Sequence, residues 1–147
     1  IFASENILYL GDNAGEIVFD RIFIEEIIKR TPARVRYAVK SKPYFNDVTA
    51  KDAGDILLDK VCDIIGNGSD TIGTWLPSCS ASFREAFKSA DLVISKGQAN
   101  FETLEGTGEN DCLYFLFRIK CEVVAEYTGI PKDANAIINN SKLRNKH

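Results

Sequence analysis

Two kinds of hydrophobic pattern alternate along the chain. Short apolar runs, rich in β-branched and aromatic residues, predict strands at residues 7–10, 34–40, 60–65, 90–95, 111–117 and 135–138. Apolar residues at every third or fourth position predict helices at residues 17–29, 80–89 and 121–127, with a short helix from residue 50. This alternation is typical of an α/β fold with a doubly wound, mostly parallel sheet and helices on both faces, a Rossmann-like arrangement of three layers.

The length of the chain suits one domain. Its 147 residues are enough to bury a sizeable core, so we expect residues 1–147 to form a single α/β domain. The sequence opens at Ile1, almost directly on a core strand, and contains no methionine. We therefore expect a fragment of a longer chain; the alternative, that some residues are missing from the sequence, stays open.

The turn after the first strand carries candidate chemistry. It reads GDNAGE at residues 11–16, and Asp12 and Asn13 offer the hard oxygen ligands that suit Mg²⁺ or Mn²⁺. Alternatively, Asp12 or Asn13 caps the following helix and Gly15 serves only the turn. The turn lacks both the G-x-G-x-x-G and the G-K-[ST] patterns, so a metal or a single phosphate is favoured over a dinucleotide.

Further polar residues follow two later strands. Asp47 precedes Thr49-x-x-Asp52, which predicts a capping box and leaves Asp47 able to point into the crevice; the alternative is an ordinary loop acid. Lys96 and Gly97 follow the strand at residues 90–95 and suggest a phosphate clamp, the alternative being a solvated lysine beside a turn. Because ligands bind at the carboxyl edge of such sheets, we expect these residues to form one site.

Charge, hydropathy and cysteine content exclude other classes of protein. The net charge of −3 argues against a nucleic-acid binder, and no apolar stretch is long enough to cross a membrane. The sequence has no C-x-x-C pair among its four cysteines, Cys62, Cys79, Cys112 and Cys121, so a zinc site is not expected. All but Cys79 lie in or beside apolar runs, which predicts buried free thiols in a reducing compartment, the cytoplasm. The single histidine, His147, is the last residue, so histidine catalysis is not expected.

Four motifs resemble the metal-dependent damage-control phosphatases, a family long classed as a domain of unknown function. They are GDNAGEIVFD at residues 11–20, NDVT at 46–49, ADLVISKGQANFETL at 90–104 and RIKC at 118–121. The similarity runs from about residue 7 to about residue 129, and the long third motif is the specific one. Family members usually carry a helical segment before the first strand, which is absent from this sequence.

The resemblance implies a phosphatase that acts on small phosphorylated metabolites, including sugar phosphates. Its cofactor would be a divalent metal (Mn²⁺, Mg²⁺, Co²⁺ or Ni²⁺), and neither nucleic acid nor a membrane is an expected partner. The resemblance assigns the metal to Asp12, Asn13 and Asp47, which with Lys96 form the catalytic set. The same resemblance implies a set of residues that bind the phosphate or line the pocket: Lys96, Gly97, Asn100, Glu102, Arg118 and Lys120.

The expected reaction is metal-assisted hydrolysis of a phosphoester. The ion would polarise a phosphoryl oxygen and activate a water, while Lys96 would balance charge on the phosphoryl group. A covalent phosphate on Asp12 stays open, although the D-x-D spacing is missing. Two alternatives remain: a carboxyl methyltransferase that uses S-adenosylmethionine, and a non-catalytic module that binds sugar phosphates or nucleotides. The scarcity of glycines in the first loop argues against the methyltransferase.

Overall fold

The computed structural model of the chain describes residues 1–108 and 110–144, with only the backbone of residue 144. His147 therefore lies outside the described residues. Within them a single sheet has the order β3-β2-β1-β4-β5-β6. Its strands are β1 (Asn6–Leu10), β2 (Arg34–Val39), β3 (Asp63–Gly66), β4 (Leu92–Lys96), β5 (Leu113–Arg118) and β6 (Asn135–Asn139).

The sheet is parallel except for the β5–β6 pair, which is antiparallel. The helices are α1 (Ile17–Arg30), α2 (Ala50–Asp55), α3 (Ala81–Ser89), α4 (Gln98–Leu104), α5 (Glu122–Thr128) and α6 (Asn140–Arg144). The predicted doubly wound α/β fold is thus confirmed, and its strand order is that of the dinucleotide-binding Rossmann sheet.

Two hydrophobic clusters lie on opposite faces of the sheet. Successive strand residues point to opposite faces, so Ile7 and Tyr9 of β1 pack with α1 and α2, whereas Leu8 and Leu10 pack with the other four helices. Strand β1 is covered by helices on both faces, which explains why its sequence reads as a continuous apolar run.

One half of one face is open. On the α1 side, β4, β5 and β6 border an apolar groove that also includes Phe23 of α1, and none of the described helices packs over it. Tyr114 of β5 is exposed there, and Ile137 of β6 is 75% exposed. The outer side of α1 continues this apolar surface with Phe19, which is 72% exposed.

Local signals explain several element boundaries. The predicted capping box is present, since the backbone N–H and hydroxyl of Thr49 donate to Asp52 Oδ2 at 2.8 and 2.6 Å. Gly129 ends α5 with a φ of +72°, a conformation that glycine adopts readily. Helix α1 begins after Glu16 without a side-chain cap, so the capping role considered for Asp12 and Asn13 is not what the structure shows.

Two helices and several strand boundaries differ from the sequence predictions, and β4 and β5 each begin two residues later than expected. Helices α4 and α6 lie in polar segments for which no helix was predicted. The third strand begins at Asp63 rather than at residue 60, because residues Leu58–Lys60 form a turn of 3-10 helix instead. No described helix is long and apolar enough to cross a bilayer.

The cysteines are all free thiols, but their burial differs from the prediction. Cys112 is exposed, because it lies in the turn before β5 rather than inside the strand. Cys62 and Cys121 are half-buried, and Cys79, which the apolar pattern did not mark, is the buried one. Burial raises the pKa of the Cys79 thiol to about 11.

A pair of phenylalanine substitutions tests the assignment of the core. Phe83→Ala removes a ring that is fully buried between α3 and the sheet, and we expect it to lower the free energy of unfolding by about 3–5 kcal/mol. Phe19→Ala, on the open side of α1, should change it by less than about 0.5 kcal/mol. Urea denaturation measures both; equal losses would contradict the assignment.

Candidate active site

A pocket opens where the strand order reverses. From β1 the chain passes to β2 on one side, and from β4 it passes to β5 on the other, so the loops after β1 and β4 diverge and leave a crevice between them. The pocket there has a volume of about 280 Å³. Its polar lining residues are Asp12, Glu16, Lys96, Gln98, Arg118, Lys120 and Asn135.

Gly97 allows the two loops to approach each other. Its φ is +84°, and a Cβ atom at this position would overlap the carboxylate of Asp12. The Gly97 N–H donates to the carbonyl of Leu116 at 3.1 Å and so fixes the loop to β5. A residue without a side chain is therefore required here for Asp12 to lie at the pocket wall.

The loops after β1 and β2 are joined through their backbones. Asn13 and Asp47 form an isolated antiparallel bridge, and the N–H of Val48 donates to the carbonyl of Asp12 at 2.8 Å. The structure thus brings the backbones of Asp12, Asn13 and Asp47 together, and of these three only Asp12 is among the residues that line the pocket. Among the described residues no group of three or more histidine, cysteine or acidic side chains is arranged to hold a metal, so the metal site, which includes an amide, stays a prediction.

The side chain of Asn13 lies between two carboxylates. Its Nδ2 donates to Asp12 Oδ2 at 2.9 Å and to Glu16 Oε1 at 3.2 Å, while its Oδ1 accepts from Asn46 Nδ2 at 2.6 Å. One amide therefore keeps two acids of the pocket close to each other.

This crowding changes the acidity of Asp12. Burial raises the pKa of Asp12 to about 6, and the negative charges of Glu16 and Asp47 add to the effect, against the opposing charges of Lys120 and Lys96. A bound cation would lower the pKa of Asp12, because an opposite charge nearby favours the ionised carboxylate.

Asp47 has a lysine partner that the sequence analysis did not single out. Lys40 Nζ lies 3.6 Å from Asp47 Oδ2 and donates to the carbonyls of Thr71, at 2.6 Å, and Gly73. Burial lowers the pKa of Lys40, although Asp47 opposes this shift. Burial also raises the pKa of Asp47 by more than Lys40 lowers it.

Lys96 faces the pocket from the end of β4. Its Nζ donates to Glu16 Oε2 at 3.0 Å and to Asp20 Oδ1 at 2.9 Å. Burial alone would lower the pKa of Lys96, but the charges and hydrogen bonds of Asp20 and Glu16 outweigh it and the pKa is raised. Likewise, burial raises the pKa of Glu16, but bonds from Lys96 and Asn13 outweigh this effect and the pKa is lowered.

Asp20 is buried behind Lys96, on the first turns of α1. Its Oδ1 accepts from the hydroxyl of Tyr9 at 2.7 Å, and its Oδ2 accepts from the hydroxyl of Tyr37 at 2.8 Å. No feature of the sequence marks this cluster as part of a site. An acid near a helix N-terminus and tyrosines in strands both have common structural explanations.

Asn100 and Glu102 do not belong to the pocket lining. Asn100 is buried, and its Nδ2 donates to the carbonyls of Gly11 at 3.2 Å and Lys96 at 2.8 Å. It therefore braces the loops after β1 and β4 against each other. Glu102 is exposed and accepts from Gln98 Nε2 at 2.7 Å.

Arg118 and Lys120 line the opposite wall of the pocket. Arg118 pairs with Asp133 at 3.0 Å, and the backbone N–H of Lys120 donates to Gln98 Oε1 at 2.7 Å. The two residues give this wall a positive charge. Their contact with a substrate stays a prediction.

The sequence matches a known family over residues 2–136, described as the damage-control phosphatase ARMT1-like domain. The chain belongs to this family. A damage-control phosphatase of Pyrococcus horikoshii is 41% identical over 93% of this chain and 47% of its own length. One from Archaeoglobus fulgidus is 37% identical over 87% of this chain and 44% of its own length.

A solved structure supports the same assignment. The crystal structure of a DUF89 family protein from Pyrococcus horikoshii matches with a TM-score of 0.90 and 40% identity, over 95% of this chain and 48% of that one. The chain therefore spans about half the length of the curated relatives it matches.

Substitutions at two glycines test the close approach of the loops at the pocket. Gly97→Ala introduces a Cβ against Asp12 at a φ of +84°, and we expect it to lower the free energy of unfolding by more than about 1 kcal/mol. Gly15→Ala lies in the same region with no atom nearby, so a change below about 0.5 kcal/mol is expected. Urea denaturation of both variants compares them; a harmless Gly97→Ala would contradict the geometry.

Proposed function

We propose that this chain is the catalytic domain of a divalent-metal-dependent phosphatase that hydrolyses small phosphorylated metabolites such as sugar phosphates. Membership of the family and the names of its relatives support a phosphatase. The observation that carries the proposal is the pocket itself. An acidic wall with Asp12 faces the ammonium of Lys96 across Gly97, so one small cavity offers places for both a cation and a phosphate.

The acidic wall suits a hard divalent cation such as Mn²⁺, Mg²⁺, Co²⁺ or Ni²⁺. Asp12, Asn13 and Asp47 offer oxygen donors of the right kind, and burial together with the neighbouring charges of Glu16 and Asp47 raises the pKa of Asp12. The Asn13 amide has its nitrogen towards Asp12, so coordination by Asn13 requires the amide to turn over. A bound ion would polarise a phosphoryl oxygen and activate a water.

The chain's own residues would orient and stabilise the phosphoryl group. Lys96 would donate to an equatorial oxygen and balance its charge, which matters because phosphoryl transfer depends mainly on positioning and electrostatics. Gly97 would keep Lys96 and Asp12 within reach of the same group. Arg118 and Lys120 would attract the anionic substrate to the pocket mouth.

Two acidic variants test the reaction. Asp12→Asn removes a charge from the pocket lining and Asp47→Asn removes one from the loop that pairs with it, and each should lower kcat/KM on p-nitrophenyl phosphate by about 100-fold or more. Asp55→Asn, an exposed acid of α2, is the matched control and should keep its activity. The assay is run with each of the four metals, and Mn²⁺ binding is measured by electron paramagnetic resonance.

Two outcomes of this assay would count against the proposal. Full activity in Asp12→Asn or Asp47→Asn would remove these residues from the reaction. Binding of inorganic phosphate without turnover at any of the metals would favour the non-catalytic binding module instead.

A lysine pair tests the phosphate end of the pocket. Lys96→Ala removes the ammonium, and we expect kcat/KM to fall about 100-fold while Mn²⁺ remains bound. Lys51→Ala, an exposed lysine of α2, removes the same charge away from the pocket and should have no effect. Calorimetric titration with inorganic phosphate gives an independent measurement; unchanged phosphate affinity in Lys96→Ala would contradict the assignment.

A further inference from the structure

A buried carboxylate holds the pocket lysine from behind. Asp20 is 2% exposed and accepts hydrogen bonds from three groups: the hydroxyls of Tyr9 and Tyr37 and the ammonium of Lys96. These four residues come from α1, β1, β2 and β4. A buried carboxylate needs such donors, because without them the charge would be strongly unfavourable in the interior.

The two tyrosines fix the carboxylate to the sheet. Their rings stack with centroids 5.4 Å apart, and each hydroxyl binds a different oxygen of Asp20. Both side chains are almost fully buried in adjacent strands, so they have no freedom to follow a moving carboxylate. The position of Asp20 is therefore set by the sheet as well as by its own helix.

The two partners of Lys96 differ in exposure. Asp20 is enclosed, whereas the side chain of Glu16 is 45% exposed at the edge of the pocket. An ammonium has three N–H donors, and these two carboxylates are the partners described for it. An incoming anion can therefore use the third donor or replace Glu16, while the bond to Asp20 stays in place.

We propose that Asp20, held by Tyr9 and Tyr37, is a positioning residue that keeps the ammonium of Lys96 aimed at the phosphate position. This inference rests on the proposed phosphatase function and adds residues to its machinery. Because Asp20 and Glu16 occupy two of the three N–H donors of Lys96, the ammonium remains able to bind a second anion, the phosphoryl group.

The tyrosines allow a test that changes only single hydroxyl groups. Tyr9→Phe and Tyr37→Phe each remove one donor to Asp20, and Asp20→Asn removes the charge. Tyr127→Phe is the matched control, because its hydroxyl also donates to a carboxylate, Glu105, at 2.6 Å, and neither residue lines the pocket. Unfolding curves of all four variants separate effects on stability from effects on the site.

The first readout is binding of inorganic phosphate in the presence of Mg²⁺, measured by calorimetry. We expect the affinity to fall about 3- to 10-fold in each tyrosine variant and about 10- to 100-fold in Asp20→Asn, with Tyr127→Phe within about twofold of the unmodified protein. The second readout is the nuclear magnetic resonance spectrum of the lysine ammonium groups, recorded through their ¹H–¹⁵N signals. The signal of Lys96 is the one that disappears in Lys96→Arg. That signal should move in all three site variants and stay in place in the control.

Specific outcomes would overturn the inference. If neither the phosphate affinity nor the Lys96 signal changes in Tyr9→Phe and Tyr37→Phe, the cluster only stabilises the fold. If Asp20→Asn does not fold, the two tyrosine variants decide the matter alone. If p-nitrophenyl phosphate is not hydrolysed with any metal while the binding and the signal respond as expected, the phosphatase function fails and the positioning role remains.

Discussion

The parallel pairing of β1 with β4 is the constraint on which the site depends. In its register Leu10 lies opposite Ser95, so the residues that follow, which include Asp12 and Gly97, leave the sheet side by side. Their separation is then limited only by side chains, and glycine at position 97 removes that limit. A pocket with acidic and basic walls follows directly from this meeting of two strand ends.

Hydrogen bonds connect the pocket wall with the core in an unbroken series. They run from Asp12 through Asn13 and Glu16 to Lys96, and from there to Asp20 and the two tyrosines. Burial raises the pKa of Asp12, and the like charges of Glu16 and Asp47 add to this effect, whereas hydrogen bonds from Lys96 and Asn13 outweigh burial at Glu16 and lower its pKa. The local balance of charge, rather than burial alone, distinguishes these two acids.

The sequence predicted the fold well because apolar runs report burial directly. It also indicated the sheet edge at which Asp12, Asp47 and Lys96 meet, since each follows a strand. It did not indicate α4, where Phe101 and Leu104 supply the buried apolar contacts of a polar segment. Nor could it indicate Asp20 or Lys40, because Asp20 accepts from Lys96, 76 residues away, and Lys40 donates to the carbonyl of Thr71, 31 residues away.

Helix α1 carries Glu16 at its start and Asp20 one turn later, and Phe19 of the same helix is exposed. The two acids that hold Lys96 therefore belong to one helix, and the hydroxyls of Tyr9 and Tyr37 tie that helix to β1 and β2 through Asp20. A displacement of α1 relative to the sheet would have to break these buried hydrogen bonds before it could carry the ammonium away from the pocket.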